Sequence, residues 1–141
     1  MTVTLTKFNN FVQDLAHKVH NLSADTFKVL LTNTAPVATN AVLADIAGEV
    51  ASGAGYTTGG NAASITSCAQ TAGVLKFILA NPATWTSSGT LGPFRYAVLY
   101  NATASGGPLI GFADYGSALT LASAEMLTVQ FDATAGALQI A

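Results

Sequence analysis

From residue 62 onward turn signals interrupt the chain roughly every ten residues, and the runs between them are too short for anything but β-strand. Runs at 62–69, 74–79, 83–86, 94–100, 109–113, 118–121, 126–131 and 138–140 are separated by breaks rich in Gly, Pro, Asn and Ser. An earlier run, 26–33, alternates Phe27, Val29 and Leu31 against Lys28, Leu30 and Thr32. About eight short strands with such turns predict an all-β fold, a jelly-roll-like β-sandwich.

The start of the chain has a different period. Leu5, Phe8, Phe11, Val12, Leu15 and Val19 recur at three- and four-residue spacings, which predicts an amphipathic helix or arm. Asp14 and Lys18 add an i,i+4 pair on it. Such a segment either lies on its own domain or docks on a neighbouring subunit. Residues 40–47 predict one or two helical turns. At 141 residues the chain reads as a single domain, with residues 1–22 as the amphipathic segment and 23–141 as the sandwich.

Charge is scarce: 9 % of residues are Asp, Glu, Lys or Arg, against about 25 % in an ordinary soluble domain. Several strands also lack a polar face. In Val74-Leu75-Lys76-Phe77-Ile78-Leu79 only Lys76 breaks the apolar run. One face of an antiparallel sheet normally meets water, so such strands predict a second body covering the sheet. Self-association or another protein is the expected cover. Five basic residues and a net charge of −2 exclude a phosphate-neutralising stripe, so no nucleic-acid partner is expected. No run approaches the ~20 apolar residues of a membrane span. The start lacks the pattern of a secretory signal, which predicts synthesis in a cytoplasm.

Chemistry finds little support. The loop Gly53-Ala54-Gly55-Tyr56-Thr57-Thr58-Gly59-Gly60 lacks the Lys-Ser/Thr ending of a phosphate-binding loop. His17 and His20 have a ligand-like spacing, but the lone Cys68 is far along the chain and no cluster completes a metal site. No Gly-x-Ser-x-Gly elbow occurs. The acids Asp14, Asp25, Asp45, Glu49, Asp114, Glu125 and Asp132 flank strands and turns, where caps and turn formers are expected. No catalytic, cofactor or metal residues are assigned. Candidates for contact with a partner are Phe8 and Phe11 in the first segment and Tyr56 in the glycine-rich loop. Arg95, the one arginine, sits among aromatics, and Tyr100, Leu138 and Ile140 complete the set. Residues 2–5 and 138–140 are expected to act as edge strands open to pairing with another protein.

A resemblance spans nearly the whole chain. It is carried by Lys7-Phe8-Asn9-Asn10-Phe11-Val12-Gln13-Asp14-Leu15-Ala16, His20-Asn21-Leu22, Asp25-Thr26-Phe27-Lys28-Val29 and Leu31-Thr32-Asn33-Thr34-Ala35-Pro36. Gly55-Tyr56-Thr57-Thr58-Gly59-Gly60, Phe94-Arg95-Tyr96-Ala97-Val98-Leu99-Tyr100-Asn101, Leu109-Ile110-Gly111-Phe112 and Asp114-Tyr115-Gly116 extend it. With these motifs the chain resembles the cement, or decoration, proteins of tailed-bacteriophage heads. The resemblance implies a jelly roll on the outer surface of a virion shell. It also implies contact with a major capsid protein of HK97-like fold, self-association as a dimer, and no enzymatic activity or cofactor. The other readings are a phage tail or fibre subunit, a receptor-binding β-sandwich and, more distantly, a small hydrolase of cell-wall polymers.

Overall fold

The computed structural model describes residues 2–141. It is mostly β, with 44 % strand and 6 % helix, in antiparallel sheets of five, three and two strands. In chain order the elements are β1 Thr6–Lys7, α1 Phe11–Ala16, β2 Phe27–Thr32, β3 Asn61–Ala63, β4 Ile65–Thr71 and β5 Val74–Leu79. Then come β6 Trp85–Thr86, β7 Leu91–Asn101, β8 Leu109–Leu121, β9 Met126–Leu127 and β10 Leu138–Ile140. The sheet orders are β1-β8-β7-β2-β3, β10-β5-β4 and β6-β9.

The five-stranded sheet is apolar on both faces because the chain covers both. One face carries Phe27, Val29 and Leu31 from β2, Ala97 and Leu99 from β7, and Ile110 from β8. It packs toward the three-stranded sheet, where Phe77 of β5 meets Phe27 edge-on at 5.1 Å between ring centroids. The opposite face carries Leu30, Val98, Tyr100 and Leu109, joined by Phe8 and covered by Leu43 and Ile46. Those last two belong to the connection between β2 and β3, which holds a 3-10 turn at Leu43–Asp45. Amides along it tie it down: Leu43 N–H donates to Gly107 at 2.9 Å, and Val50 N–H donates to Leu31 at 3.0 Å. For this sheet, the second body expected from the sequence is residues 33–50 of the same molecule.

The first segment departs from the expected long helix. Residues 6–7 pair with β8, Thr6 opposite Phe112 and Lys7 opposite Gly111. Only Phe11–Ala16 is helical. Phe8 and Phe11 explain the break: each is fully buried, but in different clusters on opposite faces of the sheet. One straight helix cannot present its apolar stripe to both. The helix ends in a Schellman-like turn, with Lys18 left-handed at φ 66° and Val19 N–H donating to the Asp14 carbonyl at 2.9 Å. Asp14 accepts from the Asn10 side chain at 2.9 Å. The one ion pair among the described residues is Arg95–Asp114, so the expected Asp14–Lys18 pair is not made.

Other boundaries shift for local reasons. The run 62–69 divides into β3 and β4, which belong to different sheets. The runs 109–113 and 118–121 join into one long β8. Between Asp114, opposite Tyr96, and Leu119, opposite Phe94, β8 has more residues than β7, and it bulges there. The hairpin β4–β5 turns through Ala72 at φ 51° and Gly73 at φ 82°, the positive pair of a type I′ turn.

Candidate interaction groove

Between the chain's first segment and its final strand lies a groove of about 790 Å³. Val3, Leu5, Phe11, Val12 and Leu15 line one wall, and Leu138 and Ile140 line the other. Lys7 and Asp132 are its ionisable side chains. Each wall includes the terminal strand of a sheet: β1 closes one end of the five-stranded sheet, and β10 one end of the three-stranded sheet.

Long-range pairing sets the first wall. Val3 N–H donates to the Gln130 carbonyl at 3.0 Å, and Phe8 N–H donates to Ile110 at 3.1 Å. Between these anchors the chain places Leu5 toward the groove. α1 then adds Val12, which is 53 % exposed. Loop chemistry sets the second wall. Asp132 accepts from the amides of Thr134 at 2.7 Å and Ala135 at 2.8 Å, which holds its carboxyl below the usual carboxylate range. Gly136 then passes so close to β5 that an added Cβ would lie 2.6 Å from the Phe77 carbonyl oxygen. That approach delivers β10 to β5, with Leu138 opposite Phe77 and Ile140 opposite Leu75. Leu138 and Ile140 therefore share the inward side of that sheet, and Gln139 faces away.

The seven contact candidates divide. Phe11, Leu138 and Ile140 meet at the groove. Phe8 is wholly buried, its ring 5.1 Å from that of Phe112, and offers no surface. Tyr56 and Tyr100 are buried as well, at 2 % and 4 % exposure, and their hydroxyls hold the glycine-rich loop. Tyr56 donates to Glu49 at 2.8 Å and accepts from Leu31 N–H at 3.1 Å. Burial and the Glu49 carboxylate push its phenol far above the usual tyrosine value. Tyr100 donates to the Gly59 carbonyl at 2.7 Å, and the Gly59 amide donates to Glu49 at 2.6 Å. The loop 53–60 is thus a clasp on the sheet. Arg95 makes two bonds to Asp114, at 2.7 and 2.9 Å, with its guanidinium 5.3 Å from the Tyr96 ring centroid.

The acids have structural partners. Asp25, Asp45, Glu49, Asp114, Glu125 and Asp132 each accept a nearby backbone amide, as caps and turn formers do. Among the described residues no group of three or more His, Cys, Asp or Glu side chains could hold a metal ion. Among the described residues no helix is long and apolar enough to cross a membrane.

Sequence reasoning placed residues 2–5 and 138–140 at open edges but did not join them into one groove. It missed the contribution of 132–137. The signal there is Asp132 followed by Gly136, a turn former and a residue free to approach β5. Comparison with protein-family models, curated proteins and solved structures gives no match.

Proposed function

We propose that this chain is a structural virion protein that decorates and stabilises a phage head by bridging subunits of a major capsid protein of HK97-like fold. In this reading it acts on the outer surface of the shell, associates with itself as a dimer, and performs no chemistry. In this reading the two larger sheets are the layers of a jelly-roll-like sandwich whose edge strands are open to pairing.

One observation carries the reading: an apolar groove bounded by two terminal strands. An edge strand presents a row of unpaired main-chain groups, which an incoming strand satisfies and which fix its register. Apolar side chains beside it supply attraction of about 25 cal/mol per Å² buried, and salt has little effect on that term. Many weak bridges acting together resist the outward load of packaged DNA, because simultaneous engagement multiplies affinity. The resemblance to decoration proteins and the scarcity of charge support the same reading. Its weight rests on the groove, since residues 33–50 already cover the five-stranded sheet.

A receptor-binding sandwich would call for aromatic rings exposed in loops. Among the described residues Tyr115, at 46 % exposure, is the one well-exposed aromatic side chain, and it lies in β8.

Reconstruction of particles assembled with and without this chain tests the proposal. The expected result is density on the shell exterior at hundreds of copies, with β1 and β10 at the contact. Val12→Asp, at an exposed position in the groove, is expected to fold and to abolish that density. A few copies confined to a tail, or decoration unchanged by Val12→Asp, would overturn the reading.

A further inference from the structure

His20 lies beneath α1 at 5 % exposure, its ring 5.3 Å from that of Phe11. Its Nδ1 is 3.1 Å from the side-chain nitrogen of Asn101, a fully buried residue at the end of β7. The orientation of that amide is fixed from its other end. Asn101 Oδ1 accepts from the amides of Thr103 at 2.9 Å and Ala104 at 3.1 Å, so it must be the oxygen. The nitrogen therefore faces His20 and also donates to Asp25 Oδ2 at 2.7 Å. An amide NH2 only donates, so His20 Nδ1 must accept. The ring is neutral and carries its single proton on Nε2, which is buried without a partner.

A second proton has one place to go, Nδ1, where it would point at the Asn101 NH2. The hydrogen bond would become a donor facing a donor. Asp25 Oδ2 gives little relief, since it already accepts from Asn101 and from the Asn21 amide at 2.8 Å. The ionisable groups around the ring are Asp14 from α1, Asp25 from the turn before β2, and Lys18 and Cys68 across an adjoining cleft. The two carboxylates favour the charged ring. Desolvation outweighs them and holds the imidazole below the usual value of 6.5.

We infer that His20, Asn101 and Asp25 form an acid-released latch: proton uptake at His20 Nδ1 breaks its bond to Asn101, frees residues 17–25 from the end of β7, and loosens Phe11 above the ring. The inference is independent of what the groove binds. The sign follows from a depressed histidine. The latch's full contribution to stability is present above pH 6.5 and is lost as pH falls below that value toward the folded-state pKa.

Long-range proton–nitrogen NMR of the intact protein reads the tautomer and the titration together. The expected spectrum near pH 7.5 shows the Nε2–H form, with His20 titrating below the usual histidine value of 6.5. Hydrogen-exchange protection factors of residues 19–25 are expected to fall at least tenfold across that titration, while β4 and β5 hold theirs. His20→Phe is expected to abolish the pH dependence. An Nδ1–H tautomer, or protection in 19–25 that ignores ring protonation, would overturn the latch. The wild-type spectrum alone decides the tautomer should the variant fail to fold.

Discussion

Tyr56 and Glu49 share a hydrogen bond of 2.8 Å beneath the glycine-rich loop, and the same phenol oxygen accepts the Leu31 amide of β2. The glycine-rich loop is tied to the sheet through this side chain and through Tyr100, whose hydroxyl donates to the Gly59 carbonyl. Tyr56→Phe keeps the ring on Trp85, 6.3 Å away between centroids, and removes the hydroxyl. It leaves a buried amide without its partner, which costs about 1–3 kcal/mol. Chemical denaturation should show that loss with an unchanged m-value.

Gly60 and Gly73 form a matched pair of tests. Both have positive φ, at 74° and 82°. A Cβ on Gly60 would sit within bonding range of the Val29 carbonyl oxygen, whereas nothing lies within 4 Å of one on Gly73. Gly73→Ala should cost about 1–2 kcal/mol, the left-handed penalty alone. Gly60→Ala adds a backbone collision and should lower the thermal midpoint well beyond it. Equal effects in calorimetry would refute a close-approach role for Gly60.

Phe77 is the inner residue of β5 that meets Phe27 across the main core. Phe77→Ala removes a fully buried ring and should destabilise by roughly 3–5 kcal/mol. Phe77→Leu should recover most of that loss, measured by urea titration.

Arg95 holds the Asp114 carboxyl below the usual range by donating to both oxygens, with the Gly116 amide assisting. Arg95→Ala should raise the Asp114 pKa toward 3.8, its ordinary value, as followed by carboxyl-carbon NMR. For a depressed carboxylate the stabilising contribution is present above the unfolded value and fades as pH falls through the folded one. The wild type and variant should therefore converge in stability only at strongly acidic pH.

Period-two runs located most of the strand-forming segments, because alternation survives wherever one face of a strand is buried. Phe27, Val29 and Leu31 share a face as read from the sequence, and Leu30 lies on the other. The covering role of residues 33–50 was not legible: Leu43 and Ile46 read as part of one or two helical turns, and their apolar contacts are defined only when β2, β7 and β8 are side by side. The helix expected within residues 1–22 is confined to Phe11–Ala16 for a related reason. Its spacing is genuine, but β8 competes for residues 6–7, and tertiary pairing outweighs a weak local preference in so short a segment. The groove was half legible: its apolar ends were visible, but their approach depends on Gly136 passing close to Phe77.

The pairing of Thr6 with Phe112 sets an order on synthesis. β1, the strand made first, has no partner until β8 has been made. Non-local pairing of this kind slows folding, so apolar strand faces stay uncovered for longer on the nascent polypeptide than in a chain whose contacts are local.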